Sequence, residues 1–142
     1  MSFNGKKWLP RCLDSLVAAG LDDRIIVVDN ASTDGSADFV RQRFPELIVE
    51  QLDRNIGFGQ ANNVGMACAL QKGALSVLLL NQDCWVEKDS IAQLLGTADD
   101  LSDTVGIVSP VHYQYEGHGL DPAFARYIGD AGYNPDEIGS RD

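Results

Sequence analysis

The chain has 142 residues, 44% of them apolar, and a formal charge of −10. This length is sufficient for one domain with a hydrophobic core. Nucleic acids and anionic membrane surfaces bind through basic patches, and no Lys/Arg cluster extends beyond Lys6-Lys7. The composition therefore excludes both as main partners, whereas a nucleotide can still bind an acidic protein through backbone amides and a metal ion.

The cysteine content gives an expectation about the cellular compartment. Cys12, Cys68 and Cys84 are an odd number of widely separated cysteines without a C-x-x-C pair. This pattern favours free thiols in a reducing compartment over a disulfide framework or a zinc site. The sequence contains no stretch long enough for a membrane span and no signal peptide at its start. We therefore expect a soluble, cytoplasmic chain.

Apolar periodicity predicts alternating helices and strands. In chain order the predicted elements are a helix between Asn4 and Gly20, a strand at 24–29, a helix ending near Arg43, a strand at 47–52, a helix at 60–72, a strand at 77–80, a short helix from Asp89 or Ser90, and a strand at 105–108. Short connections between them predict an α/β fold with a mostly parallel sheet and helices on both faces. The opening helix has no strand before it, so we expect the sheet to lack its first strand. From Val111 onward no period is visible, which predicts an irregular tail.

Polar residues follow three of the predicted strands. They are Asp29-Asn30, Asp53-Arg54-Asn55 and Asn81-Gln82-Asp83. In a parallel sheet these strand ends lie along one edge, where ligands bind in open α/β proteins. Turn chemistry alone is a sufficient explanation for Asp53. For Asp29 and Asp83 we favour a functional role, and a carboxylate at this edge can hold a divalent cation against a phosphate.

The glycine-containing loop at 57–62 partly matches the dinucleotide fingerprint G-x-G-x-x-G. Its third glycine is replaced by Asn62, and the loop follows a later strand than the fingerprint requires. An NAD site is therefore disfavoured, although the amides at the start of the following helix can meet polar groups of a ligand. Asn62, Asn63 and Gly65 are poor helix formers, which indicates a packing or ligand constraint.

Four stretches, in this order, resemble a family 2 glycosyltransferase with the GT-A fold. They are NGKKWLPRCLDSL at 4–16, VVDNASTDGS at 27–36, NIGFGQANNVG at 55–65 and LLLNQD at 78–83. The resemblance covers residues 2 to about 110 and is closest to the rhamnosyltransferase-like branch, which builds bacterial surface polysaccharides. Because the four motifs occur in family order with family-like separations, the resemblance is specific.

The resemblance implies inverting transfer of a sugar from a UDP- or dTDP-sugar to a hydroxyl of a saccharide or lipid-linked acceptor. It implies a Mg²⁺ or Mn²⁺ ion held by Asp83 and Asn81, and a carboxylate, Asp29, that accepts the N3–H of uracil or thymine. It also implies a cytoplasmic protein whose full-length form is peripheral to the inner face of the membrane. The nucleotide-binding positions implied by the match are Asn4, Asp29, Asn30, Asn55, Gly57 and Gln82.

The sequence departs from the family pattern in two places. Asn81 replaces the leading aspartate of the D-x-D metal motif. The acceptor-binding half, which carries the general base, is expected beyond the tail, so no catalytic residue is assigned. We expect residues 1–110 to form a partial nucleotide-sugar-binding GT-A domain and residues 111–142 to lead to the absent half, without turnover by this chain alone. The missing strand would expose a sheet edge and favour self-association.

Two other classes of protein remain open on the residues alone. One is a nucleotide-binding module without catalysis, and the other is a nucleotidyltransferase-type α/β enzyme that uses the same metal and diphosphate chemistry.

Overall fold

A computed structural model describes residues 1–101, 104–115 and 119–134. The chain divides into two compact units, Met1–Ile91 and Ala92–Asp142. The regular elements are α1 (Leu9–Ala18), a 3₁₀ turn (Asp22–Arg24), β1 (Ile26–Asp29), α2 (Ser36–Arg43), β2 (Ile48–Gln51), α3 (Phe58–Gln71), α4 (Ser90–Asp99) and α5 (Pro122–Asp130). The alternation of helix and strand in the first unit confirms the predicted α/β class.

The sheet of the first unit is built on the parallel pair β1 and β2. Ile26 lies opposite Ile48, and Asp29 lies opposite Gln51. The other edge of β1 is extended by a single parallel bridge, in which the Ser2 amide donates to the Val28 carbonyl at 2.7 Å. The first residues of the chain therefore lie at the position in the sheet where the sequence predicts that a strand is missing. Within this segment, Ser2 pairs with β1.

Helices cover both faces of this pair. On one face, α1 and α2 bury an apolar cluster that contains Leu9, Leu13, Leu16, Ile25, Val27, Val40, Phe44 and Leu47. The four-residue and three-residue spacing of the α1 leucines places them on one side of the helix, as predicted. Each fully buried side chain of this size contributes roughly 1.5–3 kcal/mol to folding, so this cluster fixes α1 and α2 on the sheet.

On the opposite face, α3 packs closely on β1. A Cβ added to Gly65 would stand 2.9 Å from Cγ2 of Val28, and the Cys68 thiol lies 3.7 Å from a carboxylate oxygen of Glu50. Because successive side chains of a strand alternate between faces, Val27 faces α1 and α2 while Val28 faces α3. The glycine at position 65 is therefore a packing requirement, as its poor helix propensity indicated.

Two predicted strands do not form. Residues 77–80 have no regular structure, and Val77, Leu78 and Leu79 are 38–50% exposed, so the prediction of a strand at 77–80 is wrong. Residues 105–108 likewise form no strand, and Ile107 is 91% exposed. A strand is stable only when neighbours pair with it and cover it, and no described strand pairs with either segment. Leu80 alone of residues 77–80 packs against the core cluster.

The tail after Val111 is more regular than predicted. In the second unit α5 begins behind Asp121, whose side chain accepts hydrogen bonds from the amides of Ala123 and Phe124, both at 2.9 Å. Asp121 followed by Pro122 is a recognised signal for the start of a helix. The helix forms after this signal although the surrounding sequence contains scattered glycines. None of the helices in the described residues is both long enough and apolar enough to cross a bilayer.

Replacing Gly65 by alanine should destabilise the protein relative to a matched change, Gly59→Ala, in the same helix. The new methyl group at position 65 would collide with Val28, and relieving this collision costs about 1–3 kcal/mol. This cost equals or exceeds the gain of about 1 kcal/mol in helix propensity when glycine is replaced by alanine. In the described structure a Cβ at Gly59 meets no atom within 4 Å, so that variant should be as stable as the parent or more stable. Urea denaturation of the two variants tests this order, and equal stability would contradict the close packing of α3 on β1.

Candidate nucleotide site at the carboxyl ends of the strands

The centre of the candidate site is the pair Asp29 and Asn30 at the end of β1. Both residues are buried, with exposures of 0% and 1%. One carboxylate oxygen of Asp29, Oδ2, accepts a hydrogen bond from the Ser32 amide at 3.0 Å. The other oxygen, Oδ1, is buried without a hydrogen-bond partner among the described residues. A buried acceptor in this state has a desolvation cost that a ligand donor would offset.

Asn30 joins the end of β1 to the loop that follows β2. Its Oδ1 accepts from the Ile56 amide at 2.9 Å, and its Nδ2 donates to Asn55 Oδ1 at 2.9 Å and to the Gly57 carbonyl at 3.4 Å. The same Asn55 oxygen also accepts the Gly57 amide at 2.9 Å. The structure therefore brings together three predicted site residues, Asn30, Asn55 and Gly57, from two different strand ends, as expected for a parallel sheet.

Gly57 shapes the start of α3. Its φ of 85° and ψ of 166° lie in a region that favours glycine. It is also the N-cap residue of α3, and it has no side chain that could satisfy the first amides of the helix. In the described structure, a Cβ built on Gly57 or Gly59 would meet no atom within 4 Å. The positive end of α3 is thus accessible to an anionic or carbonyl group of a ligand.

The loop that contains Asn4 is hydrogen-bonded to the loop that follows β1. The Asn4 amide donates to Ser32 Oγ at 2.9 Å, and Asn4 Oδ1 accepts from the Thr33 amide at 2.9 Å. Asn4 has a φ of 49°, a left-handed conformation that asparagine adopts more readily than most residues. In this structure the Asn4 side chain therefore orders the loop after β1.

Asp34 completes the connection between these two loops. Its Oδ2 accepts from the Lys6 amide at 3.0 Å, and its Oδ1 accepts from both the amide and the hydroxyl of Ser36. Partial desolvation acts to raise the pKa of the Asp34 carboxyl, but the hydrogen bonds from Ser36 and Lys6 outweigh it and the pKa lies below its ordinary value. The charged form of Asp34 is thus the form that holds the two loops together.

Gln82 is bonded to the first residues of the chain. Its Oε1 accepts from Ser2 Oγ and the Phe3 amide, both at 2.9 Å, and its Nε2 donates to the Phe3 carbonyl at 3.2 Å. A Cβ at Gly5 would overlap the Gln82 amide oxygen, so the glycine permits this close approach. The predicted nucleotide-binding residue therefore serves here to anchor the segment that pairs with β1.

The turn at 81–86 is held against α1 by contacts that leave Asp83 exposed. The Asn81 carbonyl accepts the Cys84 amide at 3.1 Å and lies 3.7 Å from the Cys12 thiol. The Arg11 guanidinium stacks over the Trp85 ring, 3.5 Å from its centroid. Burial, reinforced by the nearby Cys84 and Asp83, raises the pKa of the Cys12 thiol to about 11, so this cysteine is a protonated core residue at neutral pH.

The residues at this turn fit a hard divalent cation only in part. Asp83 offers one exposed carboxylate and Asn81 one exposed amide oxygen, which are ligand types that Mg²⁺ accepts. In the described part of the chain no three His, Cys, Asp or Glu side chains form a metal cluster. A Mg²⁺ site commonly has one or two protein carboxylates and is completed by substrate phosphates and water. The protein alone thus supplies an incomplete site that a diphosphate could complete.

An open cleft of about 730 Å³ adjoins the loop after β1. It is lined by Ala31, Ser32, Thr33, Arg41, Val49, Glu50, Gln51, Leu52 and Asp53. Ala31 has a φ of 60°, which is strained for a residue with a side chain. Neither Ala31 nor Arg41 was predicted as a site residue, because no sequence signal marks a strained alanine or an arginine on the rim of a cleft.

Polar side chains gathered at the carboxyl edge of parallel strands, next to an accessible helix start, are the arrangement in which open α/β domains commonly bind ligands. The family model described as glycosyl transferase family 2 matches residues 1–136. The chain therefore belongs to glycosyl transferase family 2, and the resemblance found in the four motifs is confirmed.

Individual relatives agree with this assignment. The chain is 28% identical over 131 residues to the putative glycosyltransferase EpsH of Bacillus subtilis strain 168, covering 87% of this chain and 36% of that protein. It is 32% identical over 111 residues to the uncharacterized glycosyltransferase alr2836 of Nostoc sp. strain PCC 7120, covering 75% of this chain and 33% of that protein. The chain thus spans about a third of the length of these curated relatives.

Solved structures show the same fold. The structure of Staphylococcus aureus TarS 1–349 in complex with UDP matches 98% of this chain and 49% of that chain, with a TM-score of 0.54 and 21% identity. The complex of TarS 1–349 with UDP-GlcNAc matches 80% of this chain and 36% of that chain, with a TM-score of 0.53 and 21% identity. The GT-A fold predicted from the sequence is confirmed by these matches.

Replacing Asn30 by aspartate should lower the free energy of unfolding by at least about 2 kcal/mol. The new carboxylate would place an oxygen where Nδ2 now donates to Asn55 and Gly57, so buried acceptors would face each other. The same replacement at the exposed Asn63 is the matched control and should change stability by less than about 0.5 kcal/mol. Equal urea midpoints for the two variants would contradict the role of Asn30 as the link between β1 and α3.

The contribution of Asp34 to stability should depend on pH. Its carboxyl has a lowered pKa in the folded state, so its stabilisation is fully present above the unfolded pKa, near pH 3.9, and is lost as the pH falls through the lower folded pKa. Asp34→Asn should therefore be less stable than the parent at neutral pH, and the difference should shrink below about pH 4. A difference in urea midpoint that stays constant from neutral pH to pH 3 would contradict this account.

Proposed function

We propose that this chain forms the donor-binding portion of a glycosyltransferase, which binds a UDP- or dTDP-sugar at the carboxyl ends of β1 and β2. The observation that carries the proposal is Asp29 Oδ1, a fully buried carboxylate oxygen that has no partner within the described residues. Leaving such an acceptor unsatisfied costs about 1–3 kcal/mol. A ligand N–H at this position would offset that cost, which is a physical reason for base recognition here.

The chemistry of the base favours uracil or thymine. Both present an N3–H group, which a carboxylate oxygen can accept, whereas cytosine has an unprotonated N3 and would oppose one acceptor with another. The cleft lined by Ser32 and Thr33 offers space for the nucleoside at the loop that follows Asp29. That the TarS structures were determined with UDP and UDP-GlcNAc supports a uridine donor for this chain.

The diphosphate has two candidate contacts on the chain. The accessible amides at the start of α3 can donate to phosphate oxygens, and the helix dipole favours negative charge there. Asp83 and Asn81 would hold a Mg²⁺ or Mn²⁺ ion, which when bound would neutralise the departing diphosphate as a Lewis acid. Without such an ion, the carboxylate of Asp83 would repel a diphosphate. The contact at Asp83 would therefore require the metal, whereas the contact at the start of α3 would not.

The complete reaction is proposed for the whole protein. We infer transfer to an acceptor hydroxyl with inversion, with a saccharide or lipid-linked acceptor and a role in bacterial surface polysaccharide synthesis. The nucleotide-sugar-binding domain would occupy residues 1–110, and residues 111–142 would lead to the acceptor-binding half with the general base. We further propose a cytoplasmic location at the inner face of the membrane for the full-length protein.

A nucleotide-binding module without catalysis is the second candidate. It is favoured by the candidate metal site, which has a single carboxylate, Asp83. Nucleotide binding that is indifferent to Mn²⁺, together with no hydrolysis or transfer of the donor sugar, would support this second candidate over the first.

Titration calorimetry with UDP, dTDP and CDP, with and without Mn²⁺, tests the proposed site. We expect UDP or dTDP to bind, and Asp29→Asn to weaken that binding roughly 10-fold or more. The asparagine keeps an oxygen for the Ser32 amide, but its amide NH₂ group would face the N3–H of the base, so that two donors would oppose each other. Asp83→Asn should abolish the enhancement by Mn²⁺ and leave the metal-free affinity unchanged or raised, because the replacement also removes the repulsion between the carboxylate and the diphosphate.

The control for the charge change is Asp89→Asn, an exposed aspartate in the same part of the chain, which should leave both affinities unchanged. No binding of any nucleotide diphosphate under either condition would overturn the proposal. Sedimentation velocity on the same preparations tests the proposed self-association through unpaired strand edges, and a monodisperse monomer would contradict it.

A further inference from the structure

The turn at 81–86 is anchored to the first unit at both of its ends. Leu80, just before the turn, and Val86, at its end, both pack against the apolar cluster that α1 and α2 bury. The Val86 amide also donates to Ser15 Oγ at 3.1 Å, and Ser15 lies on α1. Because both ends are fixed in this way, the residues between them are kept close to the helix.

Two cysteines meet at this turn. The carbonyl oxygen of Asn81 accepts hydrogen bonds from the Cys84 amide at 3.1 Å and from the Cys12 thiol at 3.7 Å. The Cys12 sulfur and the Cys84 nitrogen therefore cannot be further apart than the sum of these two distances. Burial raises the pKa of the Cys12 thiol, and the proximity of Cys84 raises it further, which is a second sign that the two thiols are close.

The two thiols differ in their access to solvent. Cys84 is exposed, whereas Cys12 is buried. The third cysteine, Cys68, lies on α3 and contacts Glu50 at 3.7 Å, so it is on the opposite face of the sheet from α1. Cys12 and Cys84 are thus the two cysteines that the fold brings together, and one of them can meet a reagent in solution.

We propose that Cys84 and Cys12 form a reversible disulfide, which fastens the turn that carries Asp83 to α1. Rotation of the exposed Cys84 side chain about χ1 would bring its sulfur to Cys12 while the backbone of the turn stays in place. The bond does not require a nucleotide, so it is independent of the proposed function. Because Asp83 directly precedes Cys84, the bond also restricts the residue that would hold the metal.

The co-reactant is a low-molecular-weight disulfide of the glutathione class. The Cys84 thiolate attacks one sulfur of this reagent, which forms a mixed disulfide and releases the first small thiolate. The Cys12 sulfur then attacks the Cys84 sulfur and releases the second small thiolate, and the protons of the two cysteines pass to the departing thiolates. Two protein thiols are oxidised to one disulfide, while the small disulfide is reduced to two thiols.

The exposure of Cys84 makes this disulfide a reducible one. Exposed disulfides are more easily reduced than buried structural ones. In a reducing compartment the pair is therefore two free thiols, as the cysteine pattern of the sequence predicts, and the bond forms when the surrounding thiol pool becomes oxidised. The pair would make the mobility of the turn dependent on that pool.

Equilibration of the parent chain in glutathione buffers of increasing oxidation, followed by acid quenching and peptide mapping by mass spectrometry, tests the pair. We expect a peptide that links Cys12 to Cys84, the loss of two hydrogen atoms from the chain, and a free Cys68. Glutathione attached to Cys84 should account for less than about a tenth of the oxidised protein, because the neighbouring thiol has a high effective concentration. Dithiothreitol should restore both thiols.

Two variants are the matched controls. Cys68→Ser should form the disulfide to the same extent as the parent, whereas Cys84→Ser should leave Cys12 reduced, because the buried thiol does not meet the reagent. Oxidation should raise the urea midpoint of the parent by about 1 M or more, since the bond closes a long loop in the unfolded chain. The urea midpoint of Cys84→Ser should be the same in both buffers.

Several results would overturn the proposal. One is a stable glutathione adduct at Cys84 beside a reduced Cys12, and another is two free thiols in fully oxidised buffer. A disulfide that joins two chains through Cys84, or one that includes Cys68, would also overturn it. An unchanged or lower urea midpoint in the linked chain would show that the bond distorts the fold, and would overturn the fit between the turn and α1.

Discussion

The structure depends on the burial of two polar residues, Asp29 and Asn30, at the point where β1 ends. Polar groups at nearly zero exposure are unfavourable unless they are hydrogen-bonded. Asn30 is fully bonded to the loop after β2, so it fixes the start of α3 relative to β1. Asp29 is bonded through one oxygen only. Adjacent residues of the same motif thus differ, since Asn30 links two parts of the framework and Asp29 leaves one acceptor unsatisfied.

The helices and the parallel pairing followed from the sequence because they depend on information within each segment. The leucine spacing of α1 and the apolar runs of β1 and β2 are local patterns, and the convergence of Asn30 with Asn55 follows from parallel topology alone. Residues 77–80 have an equally strong apolar pattern, yet Val77 to Leu79 are exposed. Burial of a strand depends on neighbours in the sheet, and periodicity carries no information about whether a neighbour is present.

The same distinction applies to the candidate site. Asn4 and Gln82 match the family motifs as well as Asp29 does, but their side chains bond to Thr33, Ser2 and Phe3. A motif match cannot separate a residue that contacts a ligand from one that orders the loop around it, because both are polar and both lie at the same edge. Asn62 shows the opposite case. Its poor helix propensity was visible in the sequence, but the burial of its amide nitrogen without a partner in the described residues required the packing of α3 on β1 to be known.

The proposed contacts with the base and with the diphosphate of a donor lie in parts of the chain that differ in how well they are ordered. Asp29 is buried at the end of β1, so its hydrogen-bonding groups are already fixed and would lose little conformational entropy on binding a ligand. Asp83 is exposed on a turn, and its cation would need phosphate oxygens to complete its coordination. In the proposed function, base recognition would thus rest on residues that are ordered by folding, whereas the metal site would be assembled by the diphosphate. With Asn81 in place of a second carboxylate, the base end of the proposed site would have the greater share in selecting the donor.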